Sequence, residues 1–328
     1  MRTGKVPENV LKRSVLKEIK NRRDEVIKGA EAGADYALLR LEMLEDIVVS
    51  TDTCEAESEL AATLAIYKAG NNLACAGAVP MVVTVSMALP KGFEESELKK
   101  YMRSMEAAAE KLQVEIAGGD TKIMESVKTP VITVTGIGKV SPLETIEERK
   151  VMPGQELVVT KWIGMEGALL VVNSKEEQLK ERYAFQLLEN VKSMEQNMMV
   201  LSEAATAIKS GATAMHDLSE GGILAALWEF GQKHGVGLEI DLKKIPVKQE
   251  IIEICEFYEL NPYGLRSGGS MLIATEHGSN LVRDLNKIGI EASVIGRITG
   301  ENHRIIKNGE EHRYLDLPQA DEIYKMKF

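Results

Sequence analysis

The sequence predicts an α+β protein of two domains. Its 328 residues are about twice the length of a typical domain, so two cores of ordinary size are expected. Strand-like and helix-like stretches alternate through both halves of the chain. Around residues 140–154 the composition changes to Ser-Pro, Glu-rich and Met-Pro-Gly sequence, which is typical of a linker. We therefore expect one domain over residues 1–145 and a second over residues 155–328.

The first domain is predicted to be mixed α/β. Apolar residues at helical spacing predict helices over residues 8–30, 58–76 and 94–112, with Ser58 as an N-cap. Alternating or continuous apolar runs predict strands over residues 36–41, 46–50, 81–88, 114–117 and 131–137. The basic residues of segment 17–23 are interpreted as the solvated face of the first helix.

The same alternation continues in the second domain. Strands are predicted over residues 156–160, 213–215, 237–240, 270–274 and 292–298. Helices are predicted in the regions 178–210 and 221–234.

Charge and composition exclude several classes of protein. A net charge of −10 disfavours nucleic-acid partners, whose binding proteins use clustered Lys and Arg. No apolar run approaches the roughly 18 residues of a membrane span, and a charged N-terminal segment argues against a signal peptide, so we expect a cytoplasmic protein. Cys54, Cys75 and Cys255 are too few and too widely spaced for a zinc site or a disulfide framework, and reduced buried thiols are expected.

The segment Gly118-Gly119-Asp120-Thr121 is the first of three glycine motifs. It follows an apolar strand directly. Paired glycines allow close approach of the backbone to a ligand, and the carboxylate offers hard oxygen ligands that suit Mg²⁺. The alternative is a plain turn, because Gly and Asp are also preferred in tight turns.

The second motif runs from His216 to Gly222, between a strand and an apolar helix. A glycine-rich helix N-terminus can bind an anion, and His216 or Asp217 is available for proton transfer. The alternative is that Ser219 or Asp217 only caps the helix.

In the third motif, Arg266-Ser267-Gly268-Gly269, an arginine stands beside two glycines. The arginine is suited to pair with phosphate. The alternative is a hairpin turn with a surface arginine.

Together these motifs resemble the AIR synthase superfamily, which includes AIR synthase (PurM), FGAM synthetase, selenophosphate synthetase, thiamine-monophosphate kinase and HypE. The resemblance spans nearly the whole chain and is strongest to AIR-synthase-related and HypE-like proteins. The segments that carry it are Val48-Val49-Ser50-Thr51-Asp52-Thr53, Asn71-Asn72-Leu73-Ala74-Cys75-Ala76-Gly77-Ala78-Val79-Pro80, Gly118-Gly119-Asp120-Thr121, Trp162-Ile163-Gly164-Met165-Glu166-Gly167 and His216 to Gly222.

The resemblance implies a PurM-like fold, in which the sheet of the N-terminal domain pairs with that of a second copy to form a homodimer. The C-terminal domain would be an α/β sandwich on the substrate side, and ATP with Mg²⁺ would bind where domains and subunits meet. Metal ligands would be Asp35, Asp52 and Asp120. Nucleotide-binding residues would be Gly118, Gly119, Asp120, Thr121, Asn72, Ser219, Gly221 and Gly222. The catalytic residues on the substrate side would be His216 and Asp217.

If the three aspartates converge, they require a cation, because two carboxylates about 4 Å apart repel by roughly 4 kcal/mol at an effective dielectric constant near 20.

Three departures from the family pattern bear on catalysis. The family's Gly-Asp-Asp-Ala is replaced by Gly33-Ala34-Asp35, and its Asn-Asp-Leu is replaced by Asn71-Asn72-Leu73. Both changes remove a carboxylate from the metal side. HypE also carries a reactive cysteine at its C-terminus, whereas the last cysteine of this sequence is Cys255.

The leading hypothesis is an ATP-binding, HypE-like protein that activates a small-molecule or protein acceptor, or assists metal-cofactor assembly, without the cysteine step of HypE. The rival is a catalytically silent homodimer that binds a nucleotide or a partner protein. A purine-pathway synthase is a third hypothesis, and the altered metal motifs count against it.

Overall fold

The computed structural model of the protein describes residues 4–5, 8–30, 38–39, 41, 45–141, 146 and 149–326. The chain divides into two compact units, Met1–Ala74 with Ala78–Thr145, and Cys75–Gly77 with Ile146–Phe328. Across the described ranges, no helix is both long enough and apolar enough to cross a membrane.

Unit 1 is built on a five-stranded sheet in the order β1-β6-β5-β7-β4. Strands β5 and β6 are parallel, and the other neighbouring pairs are antiparallel. A small sheet of β2 and β3 accompanies it. The bounds of the elements are β1 (Gly4–Lys5), α1 (Glu8–Ser14), β2 (Val26–Lys28), β3 (Leu38–Leu39), β4 (Asp46–Glu55), α2 (Glu59–Cys75), β5 (Val79–Pro90), α3 (Glu95–Leu112), β6 (Glu115–Met124) and β7 (Val131–Val140).

The two faces of this sheet differ in burial. Side chains alternate between the faces along each strand, and in β7 the buried Ile132 and Val134 alternate with the partly exposed Thr133 and Thr135. The buried face packs on helices, as Gly136 of β7 lies under Leu73 of α2. We call the other face of the sheet the open face.

Several elements of unit 1 are as predicted. Helices α2 and α3 have nearly the predicted bounds, and the Ser58 hydroxyl accepts a hydrogen bond from the Ala61 N–H at 3.2 Å, which confirms its capping role. The predicted strands are present but longer, and for the strand predicted over residues 36–41 the structure describes only Leu38, Leu39 and Leu41.

The helix predicted over residues 8–30 is wrong. Helix α1 ends at Ser14 and is followed by a 3₁₀ turn at Leu16–Glu18 and by β2. The basic residues of segment 17–23 therefore do not form one face of a continuous helix.

Unit 2 is built on a seven-stranded sheet in the order β14-β13-β10-β12-β8-β11-β9. The bounds of its elements are β8 (Glu156–Thr160), α4 (Met165–Lys180), α5 (Phe185–Ser193), α6 (Leu201–Lys209), β9 (Ala212–Leu218), α7 (Gly222–His234), β10 (Gly237–Asp241), α8 (Gln249–Phe257), β11 (Ser270–Thr275), α9 (Gly278–Lys287), β12 (Ala292–Thr299), β13 (Arg304–Asn308) and β14 (Glu311–Tyr314). The predicted strands of this domain are all present.

The helical region predicted over residues 178–210 is divided into shorter helices. Helices α5 and α6 lie within it, but α4 begins at Met165, inside a segment that carried the family resemblance. The core of unit 2 lies between the sheet and α7, where the fully buried Leu227 and Phe230 pack against strand residues such as Leu272.

Candidate functional site

The Gly118-Gly119 segment lies within strand β6 and not in the loop that the motif predicted. A register shift in the pairing of β5 with β6 leaves Ala117 as an extra residue, so the segment follows a β-bulge. Gly119 has φ +155°, and a Cβ atom on it would lie 1.9 Å from the carbonyl oxygen of Val85. Glycine is therefore required here by the close approach of strand β5.

Asp120 lies on the open face of the sheet. It pairs in register with Ser86, which pairs with Thr133, which pairs with Thr53. Its side chain is 42% exposed, and Asp120 Oδ2 lies 2.7 Å from Lys122 Nζ. The next residue, Thr121, is buried on the helix-facing side. Asp120 is thus accessible, with an ammonium group beside it.

Asp52 lies on the opposite face of the same sheet. It is in register with Val134, Val85 and Gly119, and therefore not with Asp120. Its Oδ1 lies 2.8 Å from Lys68 Nζ, and its Oδ2 accepts a hydrogen bond from Asn72 Nδ2. Asn72 is accordingly part of the Asp52 cluster, as an amide donor.

Of the three aspartates expected to converge, Asp52 and Asp120 do not meet within one chain. Asp52 and Asp120 lie on opposite faces with two strands between them, and Asp35 lies outside the described residues. The described residues contain no group of three or more His, Cys, Asp or Glu side chains that could hold a metal ion. Since both oxygens of Asp52 already contact an ammonium or an amide donor, the Asp52 cluster does not fit a Mg²⁺ site.

In unit 2, the His216 motif forms the predicted turn from strand β9 into helix α7. Gly221 and Gly222 have positive φ angles of 76° and 62°. A Cβ atom on Gly222 would lie 2.6 Å from the carbonyl oxygens of Tyr263 and Leu265. The second glycine is therefore required by the neighbouring chain segment.

The chain's own carboxylate lies at the N-terminus of α7. The N–H of Gly221 donates to Asp321 Oδ2 at 2.6 Å, and the Asp321 side chain is fully buried. Burial raises the pKa of Asp321, and hydrogen bonds from the Ile323 and Gly221 N–H groups oppose that shift. The N-cap position is held by Gly221, which has no side chain to cap the helix, so the capping role considered for Ser219 or Asp217 is wrong. Ser219 instead accepts hydrogen bonds through its carbonyl, from the N–H groups of Gly222 and Ser267.

His216 and Asp217 are not brought together. They are neighbours in strand β9 and therefore point to opposite faces of the sheet. His216 Nε2 lies 3.2 Å from Glu229 Oε2 of helix α7. Asp217 is only 8% exposed. The two side chains cannot act on the same substrate atom.

Arg266 is mostly buried, which rules out a surface hairpin arginine. Its side chain is 17% exposed and faces three carboxylates, at 3.6 Å from Glu166, 3.5 Å from Glu220 and 4.0 Å from Asp321. Tyr324 donates a hydrogen bond to Glu220 at 3.0 Å. The two glycine motifs of unit 2 thus share one cluster of charges in which carboxylates outnumber the cation.

A buried ion pair next to this cluster was missed by sequence reasoning. Lys161 Nζ contacts Glu203 and donates to the carbonyl oxygens of Asn197 at 2.8 Å, Met199 at 2.7 Å and Gly269 at 2.9 Å. Burial lowers the pKa of Lys161 and raises that of Glu203, and each partner opposes the shift of the other. A lysine after an apolar strand gives no sequence signal of such a role, whereas the adjacent Gly269 does lie in a motif.

The fold and these motifs define a protein of the AIR synthase type. Residues 33–140 match the N-terminal domain of AIR synthase related proteins, and residues 152–307 match the C-terminal domain of the same family. The chain belongs to the AIR synthase related family and has its two-domain PurM-like fold.

Within this family, the chain is similar to hydrogenase maturation proteins. It is 29% identical over 266 residues to a putative hydrogenase expression/formation protein of Methanocaldococcus jannaschii. The matched region covers 79% of this chain and 77% of that protein. It is 28% identical over 251 residues to carbamoyl dehydratase HypE of Azotobacter vinelandii, which covers 75% of this chain and 71% of that protein.

A solved structure of the hydrogenase maturation protein HypE in complex with ATP superimposes with a TM-score of 0.76. The superposition covers 96% of this chain and 95% of that chain at 18% identity. At this identity the likeness establishes the fold.

Proposed function

We propose that this chain is a cytoplasmic, HypE-like protein that binds ATP and acts in metal-cofactor assembly by activating a small-molecule or protein acceptor. The relatives in the same family that carry hydrogenase-maturation names support this proposal, since the similarity covers both domains. The solved structure of HypE in complex with ATP, which has the same fold, supports ATP as the nucleotide.

One structural observation carries the nucleotide proposal. Asp120 and Lys122 lie side by side on the open face, directly after the bulge at Ala117 and the two glycines. An accessible ammonium can pair with phosphate oxygens, and the glycine backbone permits close approach. Asp120 contacts its ammonium through Oδ2, whereas both oxygens of Asp52 have partners, and the Asp120 side chain is 42% exposed against 25% for Asp52. Asp120 is therefore accessible to a ligand-bound cation.

The cysteine step of HypE is not part of the proposal. Cys255 is buried in helix α8, and burial raises the pKa of its thiol to about 12. A thiol with such a high pKa is a poor nucleophile near neutral pH, because the thiolate is the reactive form.

The rival function, a silent homodimer that binds nucleotide without turnover, is favoured by one observation. The carboxylate of Asp52 is held by Lys68 and Asn72, so it does not present free oxygens to a metal-bound triphosphate.

Isothermal calorimetry with a non-hydrolysable ATP analogue tests the proposal. We expect wild-type protein to bind, and Asp120→Asn to bind at least about tenfold more weakly. Glu125→Gln is the matched control, since Glu125 is also exposed and paired with a lysine, at 3.2 Å from Lys91. Absence of binding in the wild type would refute the proposal.

Phosphate release from ATP, measured with candidate acceptors, separates the two functions. Turnover that Asp120→Asn abolishes excludes the silent homodimer, and tight binding without turnover supports it.

A further inference from the structure

A polar cluster on the helix-facing side of unit 1 contains Asp52, Lys68, Asn72 and Ser50. The Asp52 side chain is 25% exposed, and its two oxygens have separate partners. Oδ1 lies 2.8 Å from Lys68 Nζ, and Oδ2 accepts from Asn72 Nδ2. The same amide nitrogen donates to Ser50 Oγ at 3.0 Å.

The cluster is assembled by regular geometry. Lys68 and Asn72 are four residues apart in helix α2 and therefore lie on the same face of the helix. Ser50 and Asp52 are two residues apart in strand β4 and therefore lie on the same face of the sheet. The two pairs face each other, so the positions of all four side chains are fixed by the packing of α2 on β4.

In this cluster the positive charge next to Asp52 is the Lys68 ammonium. A partly buried carboxylate is stabilised by an adjacent positive charge, and the Lys68 ammonium supplies it at contact distance. The Lys68 side chain is 27% exposed, so the ammonium is itself partly withdrawn from water.

Without the ammonium, the cluster would offer a different set of donors. The carboxylate of Asp52, the hydroxyl of Ser50 and the amide oxygen of Asn72 are the hard oxygen ligands that Mg²⁺ and Mn²⁺ take. The amide of Asn72 presents its oxygen to the cluster after a half-turn about its last side-chain bond, since amide O and N occupy nearly equivalent positions. The cluster is therefore a cation site by composition.

We propose that Lys68 is the resident cation of this site, that it excludes divalent metal from Asp52, and that Ser50, Asp52 and Asn72 bind Mg²⁺ or Mn²⁺ once the ammonium is removed. This inference goes beyond nucleotide binding, and it is tested with the metal alone. Failure of ATP binding would leave its outcome unaffected.

The experiment titrates the full chain with MnCl₂ and measures free Mn²⁺ by electron paramagnetic resonance. We expect Lys68→Met to bind Mn²⁺ at least about tenfold more tightly than the wild type, and Lys68→Met with Asp52→Asn to lose that gain. Lys68→Arg retains the charge and is expected to behave as the wild type.

Lys100→Met is the matched control, because it removes an exposed lysine of unit 1 that lies 3.9 Å from Glu59. It is expected to leave Mn²⁺ binding unchanged. Equal Mn²⁺ affinity in wild type and Lys68→Met would overturn the proposal.

A second comparison does not depend on the folding of the Lys68 variants. Asp52→Asn in the wild-type background is expected to leave Mn²⁺ binding unchanged, because Lys68 already occupies the site. Weaker Mn²⁺ binding in that variant would show that Asp52 holds metal despite the lysine, and would overturn the proposal.

Discussion

Gly118 and Gly119 are neighbours in β6 with different steric surroundings. A methyl group on Gly119 would clash with the carbonyl oxygen of Val85 at 1.9 Å, so strands β5 and β6 would have to separate locally. We expect Gly119→Ala to lower the free energy of unfolding by at least about 2 kcal/mol, in the range of strained backbone positions. Urea unfolding followed by circular dichroism measures the loss.

Gly118→Ala provides the control for this prediction. The added Cβ would lie 3.7 Å from Thr84 Cγ2, which is ordinary van der Waals contact. We expect a much smaller change in unfolding free energy, since alanine is tolerated wherever the conformation and space allow it. Equal losses in the two variants would contradict the steric explanation.

At the scale of single residues, the sequence indicates which glycines have a structural role, but not what that role is. The glycine pairs at 118–119 and 221–222 stand out in the sequence, and one glycine of each pair, Gly119 or Gly222, proves to lie at a close backbone approach. The partners Val85 and Leu265 carry no signal, because a neighbouring strand or loop can be recognised only from the tertiary fold. Asp321 is likewise undetectable as the carboxylate at Gly221, because it lies 100 residues away.

Helix α1 is joined to helix α3 by a charged contact. The Arg13 guanidinium and the Ser14 hydroxyl donate hydrogen bonds to the Glu95 carboxylate, the latter at 2.6 Å. These hydrogen bonds, that from Arg13 foremost, lower the pKa of Glu95 to about 2. We expect a carboxyl NMR titration to give this low value in the wild type, and Arg13→Gln to return the pKa towards that of an ordinary glutamate.

The direction of the linked stability change follows from the lowered pKa. As pH falls, the unfolded chain binds the proton before the folded chain does. The stabilising contribution of Glu95 to the free energy of unfolding is therefore present above its ordinary pKa of about 4.5, and it is lost as pH falls towards 2. The contribution is small, because Arg13 is 55% exposed and exposed pairs are screened by water. The Lys99 ammonium lowers the pKa of Glu95 less than Arg13 does, so Lys99→Gln is expected to change that pKa less than Arg13→Gln.

Secondary structure was predictable where propensity and tertiary contacts agree. Helix α3 has helical apolar spacing and a capping box at Glu94, and its predicted bounds hold. The helix predicted beyond Ser14 fails because distant carboxylates take the backbone donors that a helix would use. Glu106 accepts from the N–H groups of Lys20 and Asn21, and Glu115 accepts from that of Arg23. Local apolar spacing cannot show such contacts.

For the whole molecule, we propose a homodimer formed through strand β4 and the open face of unit 1. Ile47 and Val49 are 55% and 59% exposed on β4, which is the last strand in the sheet order. An exposed edge strand with apolar residues favours pairing with another chain. We expect light scattering to give twice the chain mass of 36.1 kDa, and Val49→Glu to shift the protein towards the monomer.

Phe185→Glu is the control for the dimer prediction. Phe185 is 68% exposed on helix α5 of unit 2, so its replacement adds the same charge at an equally exposed apolar position. We expect its mass to remain that of the wild type. A monomeric wild type, or an unchanged Val49→Glu variant, would contradict the proposed interface.

Much of the whole-molecule architecture was predictable from the order of the glycine motifs, because that order carried the resemblance to the AIR synthase family, whose two domains match residues 33–140 and 152–307. Which of the candidate site residues lie close together in the fold was not predictable. Asp52 and Asp120 both follow the motif pattern, yet a residue's face depends on strand register, and the bulge at Ala117 shifts that register in β6. A single bulge inverts every side chain that follows it in the strand.

The hydrogen bond from Gly221 to Asp321 has a consequence for biosynthesis. A ribosome that has completed helix α7 must add about 90 further residues before the carboxylate at the start of that helix exists, since the two partners are 100 positions apart. Until then the N–H of Gly221 lacks this acceptor and Arg266 lacks one of its three carboxylates. The β9–α7 turn is consequently completed late in translation, and nascent chains stalled before residue 321 are expected to be more sensitive to protease at this turn than the released protein.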